Sequence, residues 1–173
     1  MLGKSSVSVS NIVDKFYTLL RVRSDELRRQ RVDLGAMAST IIERFKAESP
    51  GSKVRVHTPQ SLFVHADPDM MYTALYYLLK NSWDNVRDLE PGVIIFTMDL
   101  QAMPSMYIVK DNRSDHDKSS INYSLNIEKV SEHGLTPSGI DLGLTIAKSI
   151  VNRHGGNMWA EYTGAWLYIL FTI

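Results

Sequence analysis

The chain has no cysteine among its 173 residues, which excludes disulfides, thiol catalysis and thiolate metal sites together and fits a reducing compartment. It also lacks a charge imbalance: 19 basic residues stand against 19 acidic ones, so no overall field draws it to nucleic acid or anionic lipid. Long hydrophobic runs are missing. The longest strongly apolar stretch, near Trp166 to Phe171, is far too short to span a bilayer, and the leading MLGKSSVSVS has no signal-peptide core. Internal repeats and low-complexity tracts are absent as well. What is left is one globular domain with a possible appendage, read as cytoplasmic, in which 44% apolar residues supply a core.

Hydrophobic periodicity then lays out the elements. From Asn11 to about Arg29, Ile12, Val13, Phe16, Leu19 and Leu20 fall on one helical face, which predicts a helix that packs on the following domain or on a second chain. The arginines at 21, 23, 28, 29 and 31 read as a solvated face and linker. Arg31 to Leu34 reads as a short strand or linker end, and Asp33 as the cap of a helix carrying Met37, Ile41, Ile42 and Phe45, stopped by Pro50 and Gly51. Lys53 to His57 and Leu62 to Ala66 are predicted strands.

Asp67 and Pro68 open a helix to about Asp88, with Met71, Leu75, Leu78, Leu79, Ser82 and Val86 inward. Val93 to Leu100 and Met106 to Val109 form a meander; Asn157 to Tyr162 and Trp166 to Ile173 form a hairpin around Thr163 and Gly164. The sum is an α+β two-layer sandwich, a mixed and mostly antiparallel sheet with about three helices on one face, plus the N-terminal helix.

The stretch that carries chemistry runs from Val109 to His154. A strand ends at Asp111 and Asn112, a long polar loop follows, and Gly139 and Gly143 sit at the start of a helix built on Ile140, Leu144, Ala147 and Val151 and closed by Gly155 and Gly156. Glycines at a helix start let backbone N–H groups approach an anion. Other clusters read more plainly. Asp115, His116 and Asp117 belong to a solvated loop, Asp67 and Asp69 cap a helix, and His154 sits at a helix C-terminus where its charge is favourable.

Four boxes in order, YLLKNSWD, DNRSD, GIDLGLT and RHGG, give the chain from about residue 30 onward a resemblance to the catalytic, ATP-binding domain of sensor histidine kinases. The resemblance implies ATP and magnesium as cofactors. Asn81 matches the asparagine that holds magnesium between the phosphates, and Asp111 the aspartate that accepts the adenine amino group. Asn112 follows it in the first glycine box, and Gly139, Gly143 and Leu144 match the second. An amide oxygen suits hard magnesium, a carboxylate reads an amine donor, and bare backbone reaches phosphate. The resemblance also implies that residues 1–30 are the end of a dimerisation helix and its linker, that 31–173 are the ATP-binding domain, and that the chain is a piece of a longer sensor. Its implied partners are a response regulator or a dimerisation and phosphoacceptor domain, with a weak homodimer through residues 11–29.

The boxes also depart from the family pattern. Tyr77 stands where a first asparagine is usual and Asp84 where a lysine often faces the phosphates; Arg113 and Asp115 replace two glycines, and Asp141 replaces a third. A side chain where close approach or positive φ is needed costs about 1 kcal/mol or more, and an acid at the helix start occupies or repels the anion site. The first histidine is His57, on a strand, so the N-terminal helix offers no phosphoacceptor. The expectation is a kinase-type domain that binds ATP weakly or not at all; the alternative is a binding module that signals by docking a partner.

Overall fold

Two aspartates set the inner helices. Asp33 accepts hydrogen bonds from the backbone N–H groups of Gly35 and Ala36 and starts α2 (Leu34–Glu48), and Asp67 does the same through Met70 N–H for α3 (Pro68–Val86), where Pro68 occupies the first turn. The computed structural model describes residues 3–113, 121, 125 and 141–173, with side chains from residue 12 onward. Ahead of these helices lie α1 (Gly3–Ser24) and β1 (Gln30–Asp33); between and after them come β2 (Arg55–His57), β3 (Phe63–Ala66), β4 (Val93–Asp99), β5 (Met106–Asp111), α4 (Leu142–Arg153), β6 (Met158–Thr163) and β7 (Trp166–Thr172).

The main sheet has five strands in the order β2-β4-β5-β7-β6. All its neighbours run antiparallel except β2 and β4, which makes it mixed and mostly antiparallel as expected. Helix α3 lies on β4 and β5, α4 packs against α3 and β6, α2 packs on α3 and β3, and α1 lies along α4. Alternation decides the buried face: Ile94 and Phe96 on β4, Tyr107 and Val109 on β5, and Leu167, Ile169 and Phe171 on β7 all point to the helices. Register stacks them in rows, Phe96–Val109–Ile169 in the middle and Tyr107 against Phe171 at one end, the two rings 5.1 Å apart. Among the described residues no helix is long and apolar enough to cross a membrane.

Several boundaries differ from the sequence reading, each for a local reason. Helix α1 stops at Ser24 rather than near Arg29, because the Arg153 guanidinium ties up the carbonyls of Val22, Arg23 and Asp25 at its end. Residues 30–33 are a strand, not a linker end: β1 pairs antiparallel with β3 in a separate two-stranded sheet. Helix α3 ends at Val86 instead of Asp88, and β5 runs on to Asp111.

At the far end of α4, Gly155 takes φ of +85°, the left-handed turn that glycine tolerates, and a Cβ on Gly156 would meet the Thr172 carbonyl at 1.9 Å. His154 is the other correction there. It is 3% exposed, and burial, the largest influence, lowers its pKa, so the favourable charge expected from its position is not carried.

Candidate functional site

The site grows from the parity of β5. Tyr107 and Val109 face the helices, so Asp111 does too, paired with Ile94 on one side and Leu167 on the other. A carboxylate that is 1% exposed in such a row needs a counter-charge. Arg113, two residues on and 4% exposed, supplies it. Its Nε donates to Asp111 Oδ1 at 2.8 Å, its Nη2 to Oδ2 at 2.7 Å, and its backbone N–H adds a bond to Oδ1 at 3.1 Å. This two-pronged geometry is the strong form of an arginine–carboxylate pair.

The strain expected of a side chain at that position is not present, since among the described residues no non-glycine residue has positive φ. The guanidinium folds back onto the strand end instead.

The same Nη2 donates to Asn81 Oδ1 at 2.6 Å. Asn81 sits on α3 one turn beyond Tyr77, and its Nδ2 donates to Asp141 Oδ2 at 2.8 Å. Asp141 in turn is the N-cap of α4, its Oδ1 accepting from Gly143 N–H at 2.8 Å and Leu144 N–H at 3.2 Å. A continuous chain of bonds thus runs Asp111–Arg113–Asn81–Asp141 to the start of α4. It uses both oxygens of Asp111, both ends of the Asn81 amide and two N–H groups of the helix N-terminus. The acid at that terminus occupies the anion position rather than merely repelling a ligand from it.

Tyr77 closes the remaining approach. A Cβ on Gly143 would meet Tyr77 Cδ1 at 2.6 Å and Asp141 Oδ1 at 3.0 Å, so the bare backbone of Gly143 makes room for a ring of this chain. Burial first, then the neighbouring Tyr76, Asp141 and Asp14, raises the Tyr77 phenol above its usual pKa and keeps it neutral. Outside the network, Lys15 of α1, Tyr76, Lys80, Asp84 and Asn85 join Tyr77, Asn81 and Asp141 around a cleft of about 440 Å³. Lys80 pairs with Asp84 one turn along the helix.

No family profile matches the chain. It is 27% identical over 162 residues to the sensor protein VanS of Enterococcus faecium, a match covering 88% of this chain and 41% of VanS, so the chain spans less than half of that relative. The Acinetobacter baumannii histidine kinase AdeS shares the fold with a TM-score of 0.69 at 15% identity, over 98% of this chain and 80% of that one. The nucleotide-free catalytic domain of the histidine kinase ThkA gives a TM-score of 0.64 at 17% identity, over 84% of this chain and 95% of that domain. The chain has the histidine kinase-type ATPase fold.

Within this fold, Asn81, Asp111, Gly143 and Leu144 come together around one network, with Leu144 fully buried behind it. Asn112 faces elsewhere: its Oδ1 accepts from Val93 N–H at 2.7 Å and its Nδ2 donates to the Pro91 carbonyl at 2.8 Å, pinning the end of β5 to the start of β4. Gly139 and Asp115 lie outside the described residues, as do His116 and Asp117. Among the described residues no group of three or more acids and histidines gathers for a metal ion. The sequence flagged Arg113 and Asp141 as intrusions but not that they bond to the very groups the resemblance assigns to ATP. The available signal was the acid and base two residues apart on a buried strand end.

Proposed function

We propose that this is the ATP-binding, catalytic-type domain of a two-component sensor kinase whose nucleotide pocket is held by its own side chains. The domain type implies ATP with magnesium, but the residues as arranged do not fit it. Both Asp111 oxygens are already engaged by Arg113, whose guanidinium lies against them, the Asn81 amide oxygen is taken by a cation where a metal would need it, and the α4 N-terminus already holds a carboxylate. The Arg113 bridge between Asp111 and Asn81 is the observation that carries this reading. Millimolar ATP with magnesium is therefore expected to leave the melting temperature unchanged; a rise of several degrees overturns the reading, because stabilisation follows from affinity.

The reading extends to partners. Residues 1–30 are the end of a dimerisation helix and its linker, and 31–173 the ATP-binding type of domain, working in the cytoplasm. An intact pocket would serve transfer of phosphate to a histidine on a separate domain. A self-held pocket favours the alternative, a binding module that docks a response regulator or a dimerisation and phosphoacceptor domain.

On α1, Val13, Phe16, Tyr17 and Leu20 are each more than half exposed, at 60%, 51%, 65% and 65%, at helical spacing. This stripe supports a weak homodimer through residues 11–29. Light scattering is expected to show mass rising with concentration in the natural chain and not in Phe16→Asp, Leu20→Asp; equal behaviour of the two removes the dimer.

A further inference from the structure

The nucleotide site leaves unused a titratable group at the opposite end of α4. His154 Nδ1 lies 2.8 Å from the Ile150 carbonyl, which can only accept, so Nδ1 carries the proton. Nε2 is then free to accept, and the backbone N–H of Asp67 donates to it at 3.0 Å. The imidazole is thus neutral and bonded on both sides.

Around it the N-terminal segment is tied down. Asp67 Oδ2 accepts from Arg28 N–H at 2.9 Å, and Arg29 Nη2 donates to the His154 carbonyl at 3.0 Å. Next to His154, Arg153 holds the carbonyl end of α1 through Val22 at 2.9 Å and Asp25 at 2.6 Å. We infer that this junction is an acid-labile latch: a proton on His154 Nε2 breaks the bond from Asp67 and releases α1 and its linker from the domain.

The charges facing His154 are Arg29 from the linker, Arg153 from its own helix and Asp67 from the start of α3. Burial foremost, then Arg29 and Arg153, lowers its pKa against the opposing pull of the Ile150 carbonyl and Asp67. An imidazole freed from the junction takes its proton near the ordinary value of about 6.5, and the docked one takes it only at lower pH. Between those two values the open form binds more protons, so opening gains as pH falls, by up to about tenfold per pH unit for one proton. Asp67 stays charged through that window: although burial works the other way, the N–H groups of Arg28, Met70 and Asp69 hold its carboxyl below the usual value. The proton that counts is His154's.

Hydrogen exchange on the full chain between pH 7 and pH 5, corrected for intrinsic rates, tests the latch. Protection of α1 is expected to fall relative to β4, β5 and β7, by up to about tenfold per pH unit. His154→Gln, whose side-chain carbonyl can accept from Asp67 without titrating, is expected to abolish that dependence. Unchanged α1 protection in the natural chain, or the same loss in the glutamine variant, overturns the proposal. Imidazole titration by NMR in the natural chain gives a second reading that needs no substitution: His154 protonating at or above the ordinary value also overturns it.

Discussion

Arg113→Ala is expected to cost the fold about 3–5 kcal/mol, the price of leaving a buried carboxylate alone. Asp111 sits in the core-facing row of β5 between Ile94 and Leu167, and the only cation within bonding distance among the described residues is Arg113. Two side-chain bonds to the carboxylate disappear with the guanidinium. The pair as a whole is a different matter. Among the described residues Arg113 Nη1 is buried without a hydrogen-bond partner, so the pair carries an unmet donor of its own. Asp111→Leu combined with Arg113→Met removes both charges and that orphan at once, and should recover most or all of the loss. Denaturant unfolding of the two variants measures the difference. A single-variant loss below about 1 kcal/mol would mean that the two groups are not desolvated together.

Glycine in place of Arg113 and Asp141, two of the three residues that replace glycines of the family pattern, is expected to create nucleotide binding. With Asp141→Gly the α4 N-terminus regains free N–H groups, and a carboxylate no longer faces the triphosphate; one like-charge pair at about 4 Å costs about 4 kcal/mol at an effective dielectric constant near 20. That alone is close to a thousandfold in affinity. Arg113→Gly frees both Asp111 oxygens and the Asn81 amide. The double variant should therefore give calorimetric heat with ATP and magnesium where the natural chain gives none, and it should be less stable without nucleotide than with it, since ligand binding offsets the exposed cost of Asp111. Absence of heat in the double variant would show that something other than these two charges shuts the pocket, Tyr77 against Gly143 being the next group to change.

Much of this was legible in the chain itself, and for physical reasons. Capping by Asp33 and Asp67, the apolar face of α3 and the alternation of β4, β5 and β7 are local patterns, and the structure follows them. Long-range choices were not legible. Strand β2 has three residues and its parallel partner β4 starts 38 positions later by numbering, from Arg55 to Val93, so no short-range signal specifies the pairing. The separate β1–β3 sheet is hidden the same way.

At the site, sequence identified Asn81, Asp111, Arg113 and Asp141 as the residues that matter, because their boxes stand in order. It read Arg113 and Asp141 as charges placed in a ligand's way. Only the geometry pairs them with Asp111 and Asn81, because whether a guanidinium points outward or folds back over two residues depends on the depth of the strand end, which parity alone hints at. His154 was misread for the same reason: its position at a helix end speaks for a charge, and its burial speaks against one.

The central claim is that Asp111, Asn81 and the start of α4 are already satisfied from within. A crystal structure determined in millimolar ATP and magnesium tests it most directly. The result expected is Arg113 still paired with Asp111 and Asp141 still capping α4, with no nucleotide between them; an adenine amino group seated on Asp111, with Arg113 swung away, would contradict it.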